Sequence, residues 1–204
     1  MLQDNAVREQ SGQPLIVANG FFPVPVPTGH LVEAYDSAGF DAMAMPFRLD
    51  DMMDVAIYAK HIAMAVRWLH DRSGRKVDIV GISMGGIAAL FAVKHLGAAR
   101  FVRTLVLAGS PIKGTPISSF GEWTCLFRKV GRQLSFESRL LKKLRERPLP
   151  EGPRYISVSG IFDLISPPST SALEDAENYT LALQHHDLMF APWVHRKIAK
   201  IILE

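Results

Sequence analysis

Residues 76–82, KVDIVGI, form a short apolar run that passes without a loop into Gly81-Ile-Ser83-Met84-Gly85-Gly86. An Ala-, Leu- and Ile-rich stretch with helical periodicity, Gly85 to Leu96, follows at once. A strand that turns directly into a helix leaves no room for side chains at the turn, so glycine fits at 81 and 85. Ser83 is then left at the tip, its hydroxyl exposed near the positive end of the helix. An ordinary strand–helix turn also uses small residues. The glycines here, however, form neither G-x-G-x-x-G nor the G-x-x-x-x-G-K of phosphate-binding turns.

The rest of the chain repeats this strand–helix alternation. Pro14–Asn19 reads as a buried strand closed by Gly20, and a proline-rich loop follows. Thr28 is placed to cap a helix ending near Ala38, with Gly39 as its stop. Further strands are expected over Asp41–Met45, Val102–Ala108, Tyr155–Ser159 and Asn178–Leu183. Amphipathic helices are expected from Asp51 to about Asp71 and from Ala191 to Leu203. Strand and helix in alternation imply an α/β fold: a mostly parallel sheet of about six strands, helices on both faces. One stretch breaks the rhythm, residues 112–153, and is expected to be a cap or lid insertion within a single 1–204 domain.

Composition narrows the class. The chain has 204 residues, 48% of them hydrophobic, with Lys+Arg 23 against Asp+Glu 20. It is too apolar and too balanced in charge for a disordered chain, and the small positive excess does not imply nucleic acid. The single cysteine, Cys125, excludes an internal disulfide framework. The first ten residues are polar and lack the apolar core of a signal peptide, and no apolar run is as long as a membrane span. The expectation is a soluble, cytoplasmic chain.

A serine hydroxyl needs a base to take its proton, and a carboxylate to orient that base. For this type of turn the order along the chain is Ser, then Asp or Glu, then His. Asp163 follows the fifth strand by a few residues, on the same sheet edge as Ser83. Glu174, Asp175 and Glu177 are alternatives in a polar stretch that reads as solvated. Of seven histidines, His61, His70 and His95 fall on helices, His195 lies in the last helix and His30 comes too early. His185 and His186 remain, in the loop before that helix. Only one of a neighbouring pair can face the serine. An acyl transfer also needs oxyanion donors: the Met84 N–H at the helix start, and the Phe21 N–H after Gly20. Such chemistry calls for no metal and no organic cofactor. Phe22, Phe120, Trp123 and Phe162 are candidates to line an apolar substrate pocket, though each also suits the core.

With these residues assembled, the chain resembles the α/β-hydrolases, in particular the small bacterial triacylglycerol lipases and esterases. The likeness runs from Pro14 to the end. Residues 15–21, LIVANGF, resemble the lipase strand and oxyanion loop, with Asn19 where the family has histidine. Gly81–Gly86 is similar to the family's elbow. Residues 105–115, LVLAGSPIKGT, resemble its Gly-Thr-Pro-x-x-Gly-Thr run, and residues 157–163, SVSGIFD, its acid-bearing strand and loop. Residues 185–192, HHDLMFAP, are similar to the closing motif of histidine, two residues, Leu, then Pro. That register favours His185, whereas the pattern of a small residue before the histidine favours His186. The resemblance implies a serine carboxylic-ester hydrolase acting on a small-molecule or lipid ester. An acyltransferase on the same scaffold, or a catalytically silent binding module, would share the fold.

The insertion holds eight Lys or Arg between Arg128 and Arg147, interleaved with Leu134, Phe136, Leu140, Leu141 and Leu144. A basic amphipathic helix can lie on an anionic membrane surface, so transient membrane contact through 128–147 is one expectation. A cap helix with its apolar side on the body and its charges in water is the other.

Overall fold

The computed structural model describes residues 12–20, 28–45, 54–115 and 128–204. The strands are β1 Gln13–Ala18, β2 Phe40–Ala44, β3 Val77–Ile82, β4 Val102–Ala108, β5 Arg154–Gly160 and β6 Glu177–Leu181. They form one six-stranded sheet in the order β2-β1-β3-β4-β5-β6. All five pairings are parallel. Helices follow the strands: α1 Gly29–Asp36, α2 Val55–Ser73 and α3 Met84–His95, then α4 Arg128–Leu134 and α5 Arg139–Arg145. The chain closes with α6 Pro168–Ser171, α7 Asp187–Phe190 and α8 Pro192–Leu203.

The sheet divides the core in two by the two-residue period of its strands. Ile16, Val77, Ile79, Leu105 and Leu107 face α2 and α3. Leu15, Val17, Val80, Ile82, Val106 and Val158 face α1 and α8. Strands buried on both sides read as continuous apolar runs, which is why they are recognisable in sequence. α3 packs against α2 and on β3 and β4 and buries nine of its residues, Met84 to Val93, so it has no polar face. α8 instead buries Val194, His195, Ile198, Ala199, Ile201 and Ile202 and turns its cations outward. Asp54 caps α2, accepting from the Ala56 N–H at 2.9 Å, and Gly74 ends it at φ 66°.

The insertion is not one helix. Ser135 interrupts it, its hydroxyl bonded back to the Arg132 carbonyl at 2.9 Å, and Ser138 starts α5 by capping Leu141. α4 is fixed to the start of α2: Gln133 accepts from the Val55 N–H at 3.0 Å and donates to Asp54 at 2.8 Å, and Lys129 also pairs with Asp54. α5 lies near the far end of α3, where Lys94 donates to the Leu144 carbonyl at 2.5 Å. Val130, Leu141 and Leu144 are buried in the α2–α3 core. Most of the apolar side of the segment is therefore taken up by the protein itself, with Phe136 left exposed.

Candidate active site

Parallel strands put all their carboxyl ends on one edge, and β1 and β3 diverge there because β2 lies outside β1 while β4 lies beyond β3. Crevices in open α/β sheets form at such a switch point. The chain leaving β3 meets the chain leaving β1: a Cβ on Gly20 would stand 2.8 Å from Ser83 Cβ. The strand-end loops are tied in a row. Ser83 N–H donates to Ala108 O at 2.8 Å, Gly109 N–H to Val158 O at 2.8 Å, and Ile161 N–H to Leu181 O at 2.9 Å.

Ser83 sits at φ 52° and ψ −120°, a conformation few non-glycine residues adopt. Close backbone packing beneath the turn holds it there. A Cβ on Gly85 would meet the Ala18 carbonyl oxygen at 2.1 Å, so only glycine lets α3 start against β1. Met84 is the first residue of α3, and its N–H has no intrahelical acceptor.

His185 Nε2 lies 3.0 Å from Ser83 Oγ, and His185 Nδ1 lies 2.7 Å from Asp163 Oδ2. The Asp163 carboxylate is buried, and its other oxygen accepts from the Ile165 and Ser166 N–H groups at 2.9 and 2.7 Å. A carboxylate satisfied in this way accepts the Nδ1 proton and leaves Nε2 as the acceptor for the serine hydroxyl. His186 points elsewhere: its Nε2 stands 3.3 Å from Asp187 and its side chain is mostly exposed. Glu174 and Asp175 are exposed, and Glu177 pairs with Arg154 at 2.7 Å. Ser83, Asp163 and His185 are thus brought together and His186 is not. Phe162 stands exposed on the loop beside Asp163. Phe21, Phe22, Phe120 and Trp123 lie outside the described residues.

Two features of the site were not anticipated. Gly109, at φ 57°, backs the histidine: a Cβ there would stand 2.3 Å from Leu188 Cδ1, 3.3 Å from Asp163 Oδ2 and 3.4 Å from His185 Nδ1. Its sequence signals are its place directly after a strand and at the head of the run that resembles Gly-Thr-Pro-x-x-Gly-Thr. His195 braces the helix after His185, with Nε2 2.8 Å from the Leu188 carbonyl and Nδ1 2.9 Å from Tyr35 Oη. Helical periodicity alone places it in the last helix without a role. A cavity of about 210 Å³, lined by Lys94, Lys113 and Arg147 among others, opens near the far end of α3, away from Ser83. Among the described residues no group of three or more His, Cys, Asp or Glu is placed to hold a metal ion. No helix there is long and apolar enough to cross a membrane.

A six-stranded parallel sheet with a serine on the β3–α3 elbow defines the α/β-hydrolase fold. The same fold is seen in solved lipase structures. The chain belongs to the family of the PGAP1-like alpha/beta domain, which it matches over residues 35–186. No curated protein matches it in sequence. The mature lipase BlEst2 of Bacillus licheniformis superposes with a TM-score of 0.73 at 16% identity, covering 95% of this chain and 91% of that one. Lipase B of Aspergillus fumigatus gives 0.77 at 15% identity, with 96% of this chain and 53% of that longer one. A monoacylglycerol lipase of Paleococcus ferrophilus gives 0.63 at 13% identity, covering 94% and 96%.

Proposed function

We propose that this chain is a serine carboxylic-ester hydrolase of the lipase and esterase type. The observation that carries the reading is the Ser83–His185–Asp163 relay, with its 3.0 Å and 2.7 Å contacts. Ser83 Oγ attacks the ester carbonyl carbon while His185 Nε2 takes its proton. Asp163 orients the imidazole and stabilises its charged form. The Met84 N–H at the helix start, with the Phe21 N–H, holds the oxyanion. The ester C–O bond breaks as His185 returns the proton to the leaving alcohol. Water, deprotonated by the same nitrogen, then releases the acid and restores Ser83. The lipase names of the structural neighbours support a lipid or other carboxylic ester as substrate.

The test is hydrolysis of p-nitrophenyl esters from acetyl to long-chain acyl, together with labelling by a fluorophosphonate. Ser83→Ala should abolish both. His185→Ala should lower kcat by about three orders of magnitude or more, and His186→Ala should leave it within about threefold. Retained turnover in Ser83→Ala, or equal losses in the two histidine variants, would sink the assignment. Product analysis with an added acceptor alcohol separates hydrolysis from acyl transfer.

A further inference from the structure

Trp193, Arg196, Lys197 and Lys200 are exposed on α8. Their spacing of three, four and seven residues from Trp193 puts them in one stripe. With Leu181 and Ala182 at the end of β6 they line a single groove that contains three cations and no carboxylate. Among the described residues none of the three cations has an ion-pair partner. Trp193 keeps 47% of its surface in water. Beside the groove, the loop that carries Asp163 is bonded to the Leu181 and Leu183 carbonyls at 2.9 and 3.2 Å, and it leaves Ile161 and Leu164 exposed.

Apolar side chains standing in water and unpaired cations beside them are relieved together by one kind of surface: apolar within and anionic at its face. Tryptophan favours the headgroup level of a bilayer, and lysine and arginine are drawn to anionic headgroups. A second copy of the chain is a poor occupant, because a two-fold contact would set these cations against themselves. The basic segment 128–147 is a weaker candidate. Leu141 and Leu144 are buried and Leu134 and Leu140 pack partly buried against the same core, Lys129 and Lys142 pair with Asp54 and Glu137, and Arg145 donates to the Ile112 carbonyl. We propose that the α8 stripe and the adjoining end of β6 dock on an anionic lipid bilayer, setting the edge that bears Ser83 and His185 beside the membrane. The docking stands independently of the hydrolase reading, whereas its use in reaching lipid esters rests on that reading.

The experiment is flotation with vesicles of phosphatidylcholine alone and of phosphatidylcholine mixed with phosphatidylglycerol. It uses the full chain, Ser83→Ala, the triple variant Arg196→Gln/Lys197→Gln/Lys200→Gln, and the control Arg139→Gln/Lys142→Gln/Lys143→Gln. Circular dichroism confirms that each is folded. The full chain and Ser83→Ala should bind the mixed vesicles and not the neutral ones. The α8 triple variant should bind about a hundredfold more weakly, about fivefold per cation, and the control should bind as the full chain does. The α8 variant should also keep full turnover of a soluble short-chain ester, since none of its substitutions touches the relay. The proposal is overturned if the full chain binds neither vesicle or binds both equally. It is equally overturned if the control loses binding while the α8 variant keeps it. A dimer in sedimentation equilibrium that the α8 variant dissociates assigns the face to a second copy and also overturns it. In the full chain, ester turnover without docking refutes the docking alone, and docking without turnover refutes only the hydrolase reading.

Discussion

Replacing His195 by glutamine should remove one defined part of this fold's acid sensitivity. His195 is fully buried, with Tyr35 and the Leu188 carbonyl at its two ring nitrogens. The neutral ring satisfies both: Nε2–H donates to Leu188 and Nδ1 accepts the Tyr35 hydroxyl proton. Burial also raises the Tyr35 pKa, so the phenol remains a donor. Burial pushes the His195 pKa down to about 4; the bond to Leu188 opposes the shift and the nearby His30 adds to it. Above the ordinary histidine value of about 6.5 the ring is neutral folded and unfolded, and the stability is fully present. As the pH falls below that value the unfolded chain takes up a proton that the folded chain refuses, so stability drains away until about pH 4, where the folded ring protonates as well. At roughly 1.36 kcal/mol per pH unit, that interval is worth about 3 kcal/mol. The assay is urea unfolding of the full chain and His195→Gln from about pH 7.5 to about pH 4. The variant should be the less stable near neutrality, and the gap should close by about 3 kcal/mol as the pH falls. A gap that stays constant with pH would refute the reasoning, as would a His195 resonance titrating near the free-histidine value.

Gly109→Ala should cost about 1–2 kcal/mol of stability from its left-handed backbone and lower ester turnover more than tenfold by displacing Leu188 and the Asp163–His185 pair; urea unfolding and kcat measured together check it. Arg103→Ala should destabilise by about 2 kcal/mol, less than a wholly buried pair because the arginine is partly exposed. It strands fully buried Asp78, which Arg103 Nε contacts at 2.9 and 3.1 Å, and adding Asp78→Asn should recover part of the loss in the same assay. Asp54→Ala should cost about 1–2 kcal/mol as a lost helix cap and speed proteolysis within 128–134. That residue receives Ala56, Gln133 and Lys129 together, and their bonds outweigh burial to hold its carboxyl below the usual range.

Most of the sheet is legible in the sequence because its strands are buried on both faces and bounded by glycine or proline. Val102–Ala108 matches to the residue, and β6 runs Glu177–Leu181 rather than Asn178–Leu183. β6, like β2, has polar and half-exposed positions, where apolar runs lose their meaning as boundaries. Ser83 is legible because a strand, a turn and a helix meet at it with no spare residues. The choice between His185 and His186 is not, since two adjacent loop residues differ only in where the backbone aims them. The brace formed by His195 and Tyr35 joins residues 160 positions apart, and no local pattern carries such a pairing. The insertion reads as one basic amphipathic segment because Ser135 and Ser138 differ from surface serines only in the carbonyl and amide they meet once folded.

Among the described residues β6 is hydrogen-bonded along one side only, and the chain leaving it delivers His185 to Ser83. Edge strands fray at far lower free energy than the centre of a sheet. A brief loosening of those few residues would separate the histidine from the serine while α2, α3 and the central strands stayed packed. Heated gently, the protein should lose the Ser83–His185 contact before its helical dichroism changes. Amide exchange in β6, rather than the melting temperature, would set the span over which the site stays armed.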